Sequence, residues 1–84
     1  MTSYDKTVDK NFQDWVFKKQ AGAVKFSNEQ MDFLRIIKNQ IANSFHFEAD
    51  DFELVEQGML GRAYSTFGNE LYKIIDELNT ELAA

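Results

Sequence analysis

Residues 26–45 read F-S-N-E-Q-M-D-F-L-R-I-I-K-N-Q-I-A-N-S-F, and this stretch decides the fold. Ser27 is placed to cap a helix, because its hydroxyl can accept from the free N–H groups of a first turn. Gln30, three residues on, can return the bond to the Ser27 N–H, completing a capping box. Phe26 and Met31 then fall at the two positions of a hydrophobic staple. Met31, Leu34, Ile37 (or Lys38), Ile41 and Phe45 follow at three- and four-residue steps, which draws one apolar stripe along a helix. Phe33 and Ile36 widen that stripe, so the helix is expected to touch more than one neighbour and to end near Asn43 or Ser44.

On the N-terminal side, Tyr4, Val8, Phe12, Trp15, Val16 and Lys19 share a helical period across residues 3–20. Thr2 or Ser3 can cap this segment. Asp5 and Asp9 lie in its early turns and Lys18 and Lys19 in its last, as the helix dipole favours. Ala21-Gly22 reads as its stop, with Gly22 free to take the left-handed conformation. The link to Ser27 is short, so the two helices are expected to pack as an antiparallel hairpin.

On the C-terminal side, residues 45–48 alternate briefly but have no strand to pair with, and they read as extended loop. Residues 49–52 can form one helical turn capped by Asp50, with Phe52 and Leu54 dipping into the core. Ala63, Tyr64, Phe67, Leu71, Ile74, Ile75, Leu78 and Leu82 return to helical register, and Leu71, Ile75, Leu78 and Leu82 form an amphipathic seam. Gly68 interrupts the run at roughly 1 kcal/mol relative to Ala. A break there is expected, with Asn69 capping the last helix. The fold class is therefore all-α: a compact bundle of four to five helices in one domain, residues 1–84, with an irregular segment at about 45–58.

The chain has 84 residues, 44% hydrophobic and 14% aromatic, which suits one small domain with a real core and some apolar surface left for a partner. It has no Cys, so disulfides and thiolate metal sites are excluded. No apolar run approaches the ~20 residues of a membrane span, and the polar start lacks the apolar core of a signal peptide. The net charge of −5 is unevenly spread. Residues 1–45 carry seven Lys/Arg against five Asp/Glu, and residues 46–84 carry two against nine. That acidic half argues against broad phosphate-backbone binding.

Catalytic apparatus is not legible. His46 is the sole histidine, so a metal site would have to be built almost wholly from carboxylates. Asp50, Asp51 and Glu53 lack the spacing of a calcium loop and read as a solvated turn. Residues 58–62, G-M-L-G-R, carry neither the Lys-Ser/Thr ending of a phosphate loop nor a strand leading in. Ser65 has no base at hand to activate it.

Three blocks taken together carry a resemblance: N-F-Q-D-W-V-F-K-K-Q-A-G (residues 11–22), K-F-S-N-E-Q-M-D-F-L-R-I-I-K-N-Q-I-A (25–42) and G-R-A-Y-S-T-F-G-N-E-L-Y-K-I-I-D-E-L-N-T-E-L-A-A (61–84). In order and spacing they resemble the C-terminal domain of the R (restriction) subunit of type I restriction–modification enzymes, of the EcoEI type. The chain departs from that pattern before the G-R-A turn. There Leu54-Val55-Glu56 and Gln57-Gly58 stand where the family often has a Pro-Phe pair and a double glycine.

The resemblance implies a helical domain of a larger, cytoplasmic, ATP-dependent DNA-translocating endonuclease. ATP, magnesium and the nuclease would belong to other parts of that subunit, and this fragment would hold no catalytic, cofactor or metal residue. The partners it implies are the methyltransferase (M) and specificity (S) subunits, the rest of the R subunit, and DNA through the assembled complex, with no membrane. Leu54, Val55, Met59 and Arg62, on the irregular segment, are the candidate partner contacts. Lys18, Lys19, Lys25, Arg35 and Lys38 are candidates for an auxiliary DNA-backbone contact. A third reading makes the domain a structural cap on the motor, with no recognition role.

Overall fold

The structure, a computed structural model, describes residues 2–83. It contains helices α1 (Ser3–Ala21), α2 (Asn28–Ser44), α3 (Asp51–Val55), α4 (Met59–Phe67) and α5 (Leu71–Leu82), with a 3-10 turn at Gly68–Glu70 between the last two. No strand occurs among the described residues, so the all-α expectation holds.

Both long helices start as their sequences dictate. The Thr2 hydroxyl accepts from the Asp5 N–H and the Asp5 carboxylate accepts from the Thr2 N–H, forming a capping box on α1. Ser27 and Gln30 form the second box, on α2. Gln30 also reaches beyond its own helix, where its Nε2 donates to the Thr66 carbonyl at 3.2 Å and so ties the start of α2 to the end of α4.

Helices α1 and α2 run antiparallel. The Tyr4 hydroxyl donates to the Ile41 carbonyl (3.1 Å) at one end, and Trp15 stacks on Phe26 (5.7 Å between centroids) at the other. No acceptor among the described residues reaches the buried Trp15 Nε1. Helix α5 lies against both helices. Asn11 Nδ2 donates to the Leu82 carbonyl (3.2 Å), and Lys19 pairs with Glu77 (2.6 Å). Helix α2 also touches α4. Its wide stripe is therefore covered from three sides, with Phe33, Leu34, Ile37 and Ile41 buried and Ile36 partly so. The α5 seam of Leu71, Ile75, Leu78 and Leu82 is buried throughout.

Five local expectations need correction. Phe45 leaves the stripe: it takes a left-handed conformation (φ 69°) as the residue after α2 and is 67% exposed. Its ring packs on Tyr4 (4.7 Å). Gly22 stays at φ −83°, so α1 stops without a left-handed cap. Asp50 makes no capping bond; Asp51 accepts from the Glu48 N–H instead (2.9 Å). Leu54 is 84% exposed while Phe52 is fully buried. Residues two apart share a face in extended chain but sit roughly 200° apart around a helix, and this segment is helical. The break falls at Gly68 as expected, but the 3-10 turn carries the chain into α5, and Asn69 caps nothing.

The segment between α2 and α3 is held from a distance. The Phe47 N–H donates to Asn79 Oδ1 (2.9 Å) and Asn79 Nδ2 donates to the Phe47 carbonyl (2.7 Å), so one side chain on α5 serves both backbone groups as a neighbouring strand would. This seats the Phe47 ring in the core, edge-on to Phe52 at 4.8 Å. Asn79→Ala strands two half-buried backbone groups. It is expected to cost about 1–3 kcal/mol, read from the urea midpoint of the 84-residue chain.

Candidate interaction surface

The irregular segment presents an ordered edge. Helix α3 turns Phe52 inward and leaves Leu54 and Val55 in solvent, at 84% and 44% exposure. The turn after it is closed by Gly58 at φ 82°, a left-handed position suited to glycine. Helix α4 has no cap of its own at that point, and Glu53 supplies one. Its carboxylate oxygens accept from the N–H groups of Gly58 (2.8 Å) and Leu60 (3.3 Å), placing negative charge at the positive end of the helix. Arg62, exposed one turn into α4, pairs with Glu56. Met59 faces the core and is buried. The four candidate partner contacts thus divide: Leu54, Val55 and Arg62 are exposed, and Met59 is buried.

Beside this edge a groove of about 510 Å³ opens between residues 46–50 and α5. His46, Glu48 and Asp50 stand on one side, and Tyr72, Ile75 and Asp76 on the other. His46 Nε2 lies 3.6 Å from a Glu48 oxygen, close enough to pair when the imidazole is protonated. Among the described residues, the Asp50 and Asp76 carboxylates accept no hydrogen bond and form no ion pair. Tyr72 is 57% exposed and meets Tyr64 of α4 edge-on at 5.6 Å. The adjacent Tyr72 side chain is the main cause holding the Tyr64 phenol up at about 12; reduced hydration and the charge of Asp50 add to it. Tyr64 therefore keeps its proton at neutral pH.

The basic candidates do not converge. Lys19 pairs with Glu77 and lies over the Trp15 ring. Lys38 pairs with Asp9 (3.2 Å) and lies over Phe12. Arg35 pairs with Asp32 on the helix surface (3.3 Å), and Lys25 Nζ donates to the Gln20 carbonyl (2.8 Å). Lys18 has no ion-pair partner among the described residues. Lys19 and Lys38 join helices to one another. No group of three His, Cys, Asp or Glu side chains is placed to hold a metal ion among the described residues. None of the described helices is long and apolar enough to cross a membrane.

Sequence reasoning missed Asn79, Glu53 and the Tyr64–Tyr72 pair. Glu53 carried a faint signal, an acid shortly before a glycine that opens a helix. Asn79 carried none, because its partner lies 32 residues away.

Among curated proteins and solved structures, none is significantly similar to the chain. The family model described as EcoEI R protein C-terminal matches residues 1–83, in agreement with the resemblance of the three sequence blocks. The chain belongs to the EcoEI R protein C-terminal family, the C-terminal domain of a type I restriction enzyme R subunit.

Proposed function

We propose that this domain is a protein-interaction module that docks the R subunit, an ATP-dependent DNA-translocating endonuclease, onto the methyltransferase (M) and specificity (S) subunits. One observation carries the reading. Leu54 and Val55 are held outward on the short helix α3, whose other face is anchored by Phe52. Apolar side chains fixed in solvent by a rigid scaffold are what an interface uses. ATP, magnesium and the nuclease chemistry belong to other parts of the parent subunit in this reading, and restriction of foreign DNA belongs to the whole complex.

Pull-down of the R subunit by the M–S core tests it. Deleting the domain should abolish capture while leaving DNA-independent ATP binding by the subunit in place. Leu54→Asp combined with Val55→Asp should weaken capture at least about tenfold, as loss of a central apolar contact does. Unchanged capture after deletion of the domain refutes the docking role.

A further inference from the structure

The docking face also carries information about what it receives, and this inference rests on the docking reading above. The groove between residues 46–50 and α5 adjoins a second depression of about 560 Å³ lined by Leu54 and Val55, and His46 borders both. The two meet at His46, with Leu54 and Val55 beside Gln40 and Ser44 at the α3 end and Tyr72 at the α5 end.

The carboxylates of Glu48, Asp50, Asp51 and Asp76 line the two depressions, with His46 as the one basic side chain among their lining residues. Residues 46–56 hold Glu48, Asp50, Asp51, Glu53 and Glu56, with His46 as their sole basic group. Several of these acids are already occupied: Glu53 caps α4, Asp51 accepts from the Glu48 N–H and Glu56 holds Arg62. Asp50 and Asp76 remain without an ion-pair partner among the described residues, and both line the groove. These carboxylates alone would make a solvated turn. What changes their meaning is the exposed Leu54 and Val55 on one side and the exposed Tyr72 ring on the other.

We propose that this face receives a basic amphipathic segment of the M–S core. Its Lys or Arg side chains would meet Asp50 and Asp76 and lie against Tyr72, and its apolar side chains would cover Leu54 and Val55. A cation fits both features of the groove, since carboxylates pair with it and an aromatic face attracts it. Nucleic acid is the wrong chemistry here, because the phosphates would meet unneutralised carboxylates. Charge complementarity of this kind sets partner choice and association rate, and salt weakens it.

The test uses the intact R subunit titrated into the assembled M–S core at low and moderate salt. The double variant Asp50→Lys/Asp76→Lys is expected to lower affinity at least about tenfold and to flatten the salt dependence. Asp50→Asn/Asp76→Asn should act in the same direction but less. The double variant Lys6→Glu/Lys10→Glu, exposed cations on α1 that line neither depression, should bind as wild type. Unchanged thermal unfolding of the neutral variant separates lost recognition from lost fold.

Wild-type affinity of both Asp variants, with capture still abolished by deleting the domain, overturns this proposal and leaves docking intact. Capture that survives deletion overturns both. Loss of R-subunit self-association in the Asp variants, with core binding unaltered, also overturns it, because the occupant is then a second copy.

Discussion

Phe52→Ala is expected to cost about 3–5 kcal/mol and to leave the domain substantially unfolded at modest urea. Phe52 has no solvent exposure. Its ring meets Phe33 of α2 edge-on at 5.7 Å and Phe47 at 4.8 Å. One side chain thus joins α3, the segment before it and the central helix. Truncation forfeits two aromatic pairs as well as buried area, and the hole lies among residues held from several directions. A chain of this length has about 4–13 kcal/mol of stability in all, at roughly 0.05–0.15 kcal/mol per residue. The loss is therefore a large share of the total. Leu54→Ala, on the same short helix, is expected to stay within about 0.5 kcal/mol. Urea unfolding of the two variants checks both, and a Phe52→Ala cost below 1 kcal/mol would show that the aromatic cluster is not what anchors α3.

The second large effect is a difference of sign between two glycines of the α4 region. Gly68 sits at φ 62°, ψ −142°, a conformation essentially reserved for glycine. Gly68→Ala is expected to lose about 1–3 kcal/mol. A Cβ there would meet nothing within 4 Å, so crowding is not the cause; the backbone itself resists. Gly61 lies inside α4, and a Cβ there also meets nothing within 4 Å. Gly61→Ala should therefore gain about 0.5–1 kcal/mol from helix propensity alone. Thermal midpoints of the two single variants measure this, and equal shifts of like sign would contradict the geometry at Gly68.

The contrast between local and distant determinants also explains what the sequence made legible. The α2 capping box and the α5 seam rest on residues within one or two turns of each other, and the spacing alone exposed them; at α1 the spacing narrowed the cap to Thr2 or Ser3, and the reciprocal bond from Asp5 came with the structure. The break at Gly68 was readable for the same reason. Leu54 was misplaced because an extended reading and a helical reading put it on opposite faces, and nothing local separates the two over five residues. The candidate surface was half legible: Leu54, Val55 and Arg62 were named, Met59 proved to be core, and Tyr72 and Asp76 entered only when the fold brought α5 beside residues 46–50. The basic residues looked like one group in sequence, but Lys19, Arg35 and Lys38 are each taken up by an acid, Glu77, Asp32 and Asp9, on three different helices.

The bidentate grip of Asn79 on Phe47 has a consequence for selectivity. It fixes the distance between the two walls of the groove as a caliper is fixed by its screw. In the docking reading a bound segment is gauged for thickness as well as sign, and substitution at position 79 alters the width of the groove without touching a single charge.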